Sequence, residues 1–141
     1  MPIDPRRVQD VLDIALHRFL GVELLDPQDA PKGVAFTVGA AAQNQVGLLH
    51  GGVVTALLDV ASYLALAADL AEDEHAVTHD LSVQLLRPVP GGSRVQVVGS
   101  VLRRGRAVAF LRADAHVDGR LVAAAQVTKT LVAKTPSSTT L

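Results

Sequence analysis

Hydrophobic and polar positions change period several times along this chain, and each change marks an element. Asp4-Pro5 has the form of a helix cap followed by a proline at the first helical position. Val8, Val11, Leu12, Ala15, Leu16 and Phe19 then recur at helical spacing until Gly21, which predicts one amphipathic helix packed on a sheet. Residues 22–25 and 33–38 read as two strands joined by an Asp- and Pro-rich turn. A loop over 39–49 follows. From Gly51 to Ala68 the chain is apolar almost without interruption, which predicts a long helix running to about Ala71 and leaving through the acidic, solvated stretch Ala71-Glu72-Asp73-Glu74-His75.

The second half is strand-like. Residues 77–86 alternate, with Val77, His79, Leu81, Val83 and Leu85 on one face and Thr78, Asp80, Ser82 and Gln84 on the other. Arg87-Pro88-Val89-Pro90-Gly91-Gly92 ends that strand. Strands over 94–103, 106–117 and 120–132 follow, turned at Arg104-Gly105 and at Asp118-Gly119, the strongest hairpin signal in the chain. The expected order is helix, two strands, one long helix and four strands in a hairpin meander. A helix apolar on nearly every side has to be buried, and a curved antiparallel sheet wrapped around it does this. The fold class is α+β.

Length and composition narrow the picture. At 141 residues the chain suits a single domain, 1–141, with a frayed tail at 136–141. Aromatics make up only 3%, with no Trp, so the core must be built from Val, Leu and Ala, and stacking platforms for nucleic acid are not expected. A formal net charge of −1 shows no electrostatic footprint for DNA or RNA. With no Cys, disulfides and thiol nucleophiles are excluded, and the five His show no metal-ligand spacing. The start of the chain lacks the order of a signal peptide, and Asp59 in the middle of the long apolar run argues against a membrane span. The expectation is a soluble cytoplasmic protein with no metal and no cofactor.

The candidate chemistry lies where loop becomes helix, at His50-Gly51-Gly52. The first N–H groups of a helix have no intrahelical partner, and glycine leaves them uncovered. Such a junction could hold an oxyanion, or it could be an ordinary loop-to-helix turn. Asp59 is the sole charge between Gly51 and Ala68. With Thr55 and Ser62 it makes a narrow polar stripe, which either faces solvent or lines a pocket. His50 and Asp59 are nine positions apart, roughly 13 Å of helix and half a turn out of phase. If both serve one small reacting centre, two copies of the helix must supply them, which points to a homodimer with sites at its interface.

Asn-x5-His-Gly-Gly-x6-Asp, followed by Val77-Thr78-x-Asp80-Leu81 and Leu86-Arg87-Pro88, resembles the hotdog-fold acyl-CoA thioesterases of the phenylacetate-degradation (PaaI) type. The resemblance runs over nearly the whole chain. It implies a curved sheet around the long helix, paired as a dimer and often again as a dimer of dimers. It implies an acyl-CoA substrate with an aryl or short- to medium-chain acyl group. By motif position, Asn44 would help hold the attacking water or the thioester, Thr78 would help place that water, His50 would orient the loop, and Gly51 N–H would hold the oxyanion. Asp59, from the partner subunit, would act as general base or nucleophile. Gly52 and Ser62 would line the substrate, Pro90 and Gly91 would lie beside the pantetheine arm, and Arg103, Arg104 and Arg106 are candidates for the CoA phosphates. His79 reads as structural, and His75 and His116 as exposed. Two alternatives stay open: a non-hydrolytic acyl-CoA-binding protein, and a hydratase or dehydratase on the same fold.

Overall fold

The long apolar run forms α3 (Gly51–Ala67), with Leu57, Leu58, Ala61, Leu64 and Leu66 fully buried. The computed structural model describes residues 3–134. The expectation of a frayed tail at 136–141 lies outside the described residues. Six strands, β1 (Glu23–Leu24), β2 (Val34–Thr37), β3 (Glu74–Leu85), β4 (Arg94–Arg104), β5 (Val108–Val117) and β6 (Arg120–Ala133), form one antiparallel sheet that cradles the helix. This is the hotdog arrangement. No helix among the described residues is long and apolar enough to cross a membrane.

The expected four-strand meander is corrected. The strand order is β1-β2-β4-β5-β6-β3. Of the last four strands only β4, β5 and β6 are joined as hairpins, while β3 lies at the far edge against β6. The reason is α3, about 25 Å long, which crosses the sheet between β2 and β3 and carries the chain from one flank to the other. β4 then returns to pair with β2. The turn at Asp118-Gly119 forms as expected, with φ of 50° and 78°, the left-handed pair that a tight hairpin needs.

Three local expectations also change. The first helix is two, α1 (Pro5–Leu12) and α2 (Ala15–Leu20). The break falls at Asp13-Ile14, where the Val11 carbonyl accepts from Ile14 N–H and lies 2.7 Å from the His17 ring instead of continuing the ladder. The break rotates the second half, so Leu16 and Phe19 are exposed and His17 is buried. In β3 the register against β6 slips between Thr78 and Asp80. This bulge at His79 puts Thr78 on the inner side with Leu81 and Val83 and turns Val77 and His79 outward. His79 is exposed and bonds the Thr130 hydroxyl at 2.6 Å, so it does not sit on the apolar face. Finally, α3 ends at Ala67 rather than Ala71. The exit stretch is not simply solvated, because Arg7 Nη2 donates to the carbonyls of Ala71 and Glu74 at 2.6 and 2.8 Å. Glu74 accepts from Ala71 N–H and pairs with Arg104; the backbone bond and that guanidinium hold its carboxyl below the usual range.

Helix and sheet meet most closely at Gly99, on β4. A Cβ there would collide with the Ala61 carbonyl and lie 2.9 Å from Ser62 Cα, both of them backbone. Neither can yield without lifting α3 from the sheet. Gly99→Ala is therefore expected to cost about 3 kcal/mol, read as a lowered urea midpoint with an unchanged slope. A midpoint within error of wild type would contradict this account of the packing.

Candidate active site

His50 is the N-cap of α3, and its Nδ1 accepts from Gly52 N–H at 2.9 Å. That bond takes up the Gly52 donor, so Gly52 is not available to a substrate through its backbone. Gly51 N–H has no acceptor among the described residues. It opens on a cavity of about 290 Å³ bordered by Asn44, Leu85, Arg87 and Pro88. Asn44 Oδ1 accepts from Val46 and Leu48 N–H at 3.0 and 3.1 Å, which fixes the loop and leaves the amide NH2 for the cavity. Gly91 N–H donates to Gly47, and Pro90 bridges to Leu48. Pro90 and Gly91 therefore brace the loop from behind and border neither this cavity nor the larger one described next.

A second cavity, of about 610 Å³, opens on the other side of α3. Asp59, in the middle of the helix, faces it. Its Oδ1 accepts from the Thr78 hydroxyl at 2.7 Å and from Lys129 Nζ at 2.8 Å, and Lys129 also donates to Thr78 at 2.6 Å. Lys129 is 3% exposed, and its ammonium lies 5.7 Å from the Tyr63 ring centroid. A buried ammonium needs a counter-charge, and Asp59 supplies it. Both bonds fall on Oδ1, so Oδ2 remains for a ligand in the cavity.

Lys129 is the functional candidate that sequence reasoning missed. Its signal was present: Ala123, Ala125, Val127 and Lys129 share the inward face of β6, and the last is charged. Ser62, by contrast, does not reach a pocket. It is fully buried against the sheet, and its hydroxyl bonds the Asp59 carbonyl at 2.7 Å. Thr55 likewise returns to the Gly51 carbonyl. Of the polar stripe, only Asp59 presents its side chain outward.

The arginines of the β4–β5 turn are not assembled with either group. Arg104 is paired with Glu74, Arg103 and Arg106 are exposed, and none of the three borders a cavity. Two other arginines border these cavities: Arg7, buried at the larger one, and Arg87 at the smaller one, whose Nε donates to Leu121 O at 3.2 Å. His75 is exposed at the rim of the larger cavity, and His116 is half-buried. The site residues thus form two groups, Asn44 and Gly51 at one cavity and Asp59, Thr78 and Lys129 at the other. The two linings share no residue.

Known proteins resemble this chain in sequence and in fold. Residues 46–124 match the family model described as the thioesterase superfamily. The chain is 34% identical over 129 residues to the medium/long-chain acyl-CoA thioesterase YigI of Salmonella typhimurium, covering 79% of this chain and 81% of that one. A mutant of the phenylacetic acid degradation protein PaaI from Thermus thermophilus superposes with a TM-score of 0.72 at 29% identity, over 82% of this chain and 96% of that one. A thioesterase from Haemophilus influenzae superposes with a TM-score of 0.81 over 98% and 96% of the two chains; at 20% identity it speaks for the fold alone. The family match stops short of Lys129.

Proposed function

Because this chain belongs to the thioesterase superfamily, we propose that it hydrolyses acyl-CoA thioesters with aryl or medium-length acyl groups, in sites completed across a dimer. The observation that carries this reading is the Asp59–Thr78–Lys129 group at the wall of the larger cavity. Val11, Ile14, Val60 and Tyr63 border the same cavity. Its 610 Å³ falls in the range that holds a small-molecule ligand. The similarity to a medium/long-chain acyl-CoA thioesterase favours a chain of that kind.

The pairing follows from the sheet edge. β3 has a partner only on its β6 side among the described residues, and Val77, Leu85 and Leu86 are exposed along or beside it. A long strand with one unpaired edge invites a second strand. A twofold pairing of β3 with its own copy is antiparallel and self-complementary. It sets the Thr78 end of one strand beside the Leu85 end of the other. Asp59 is bonded to Thr78, and a Cβ on Gly51 would lie 2.8 Å from Leu85 Cδ1. Asp59 of one copy therefore comes near the partner's Gly51, and one thioester carbonyl can meet both.

In this site Gly51 N–H receives the carbonyl oxygen as charge develops on it, with Asn44 alongside. Asp59 Oδ2 either takes a proton from the attacking water or attacks the carbonyl itself. The new C–O bond forms, the C–S bond breaks, and CoA leaves as a good thiolate leaving group that needs no strong acid; on the second route water then hydrolyses the acyl–Asp59 anhydride, releasing the acid and restoring the carboxylate. Thr78 and Lys129 hold the carboxylate in place. Arg87 is the cation placed for a CoA phosphate; Arg103 and Arg106 lie apart from it.

The test is thiol release from phenylacetyl-, hydroxybenzoyl-, butyryl-, octanoyl- and decanoyl-CoA. Turnover with kcat/KM rising toward the medium chains is expected. Tight binding without turnover across the panel would favour a binding protein, and proton exchange at the acyl α-carbon would favour a hydratase.

A further inference from the structure

Four polar or charged side chains are buried among the described residues: Arg7, His17, Ser62 and Lys129. Ser62 is bonded to its own helix. The other three all border the larger cavity. Lys129 belongs to the hydrolytic group, while Arg7 and His17 come from the α1–α2 cover and have no part in the chemistry. Arg7 anchors that cover through backbone carbonyls, one of them Glu74. Glu74 is four strand residues from Thr78, roughly 13 Å along β3. Arg7 thus ties the cover to the Glu74 end of β3, away from Thr78.

His17 is oriented by the helix break. Its Nδ1 lies 2.7 Å from the Val11 carbonyl oxygen. A carbonyl only accepts, so Nδ1 carries the proton, and in the neutral ring Nε2 is an acceptor. No described residue donates to Nε2. Nor is it fully occluded, because among the described residues the one occluded side-chain nitrogen or oxygen without a partner is Arg7 Nη1. His17 is 6% exposed and borders the cavity together with Val11, Ile14 and Tyr63, with Nε2 left without a partner among the described residues. Asp10 and His75 also border the cavity but are exposed, and Asp59 belongs to the hydrolytic group, so His17 is a buried, oriented acceptor apart from the chemistry, which makes it a specificity element. It favours a group that brings a donor and disfavours one that leaves it unpaired.

Resting on the thioesterase reading, we propose that His17 selects acyl groups bearing a hydroxyl at their far end, which donates to Nε2. A carboxylate at that end would meet the lone pair unfavourably, and a bare methyl would leave it unsatisfied.

The experiment measures binding, so that it does not depend on turnover. Non-hydrolysable thioether analogues of decanoyl-CoA, with and without a terminal hydroxyl, are titrated calorimetrically against wild type, His17→Asn and His17→Gln. Asn keeps a donor near the Nδ1 position and so keeps the Val11 bond, but it has nothing at Nε2. Gln carries a polar atom out to the Nε2 position. Wild type is expected to bind the hydroxylated analogue about tenfold more tightly. The ratio falls to about one in His17→Asn and is partly retained in His17→Gln. A wild-type ratio near one, or an undiminished ratio in His17→Asn, overturns the proposal. Failure to hydrolyse any acyl-CoA with the wild-type ratio intact would overturn the hydrolytic reading and leave this one standing.

Discussion

Asp59→Asn is expected to lower kcat by about a thousandfold, with little change in affinity for a non-hydrolysable analogue. The amide still accepts from Thr78 and Lys129 through its oxygen but can neither take a proton from water nor attack. The same change removes the counter-charge of an ammonium that is 3% exposed. Breaking a fully buried pair costs several kcal/mol. Here the carboxylate is 35% exposed, which lowers the expected loss to about 2 kcal/mol. Activity and stability should therefore fall together, for different reasons. Asp59→Asn with Lys129→Met separates them, because the apolar side chain removes the orphaned charge. The urea midpoint should recover while kcat stays low. Recovery of turnover in the double variant would mean that Asp59 only neutralises Lys129.

Gly51→Val is expected to cost between a hundred- and a thousandfold in kcat while leaving the Asp59 group untouched. The N–H stays, but a branched side chain meets Leu85 and covers the approach to the donor. Glycine at the adjacent position has a different reason, since a Cβ on Gly52 would press on the capping His50 ring at 3.0 Å. A Gly51→Val protein with near-normal turnover would move the oxyanion site elsewhere.

Much of this was legible before the fold was in view, and the physical reason differs from residue to residue. An apolar run with one carboxylate announces a buried helix and a costly charge, so α3 and Asp59 stood out at once. The Asp-Gly turn was equally plain, because few residues adopt its backbone angles. Lys129 was hidden because its meaning depends on β6 facing inward against α3. Ser62 was over-read because helical spacing puts it near Asp59, while only the closeness of Gly99 shows that this side meets the sheet. The place of β3 was hidden too. Strand neighbours are set by where α3 delivers the chain, and the bulge at His79 leaves no mark in the alternation. The break between α1 and α2 carries no Gly or Pro. It is made by a histidine that bonds back to the preceding turn, and that histidine is the one left facing the cavity.

The central claim is that each site draws Gly51 from one subunit and Asp59 from the other. Mixing decides it. Asp59→Asn and Gly51→Val proteins, each nearly inactive alone, are unfolded together, refolded, and assayed against wild type treated identically. With random pairing, half the dimers are mixed and each holds one intact site. The account predicts recovery of about a quarter of wild-type activity. Recovery no greater than the sum of the two parents, with mixed dimers demonstrated by mass spectrometry, would contradict it and place both groups at a centre within one chain.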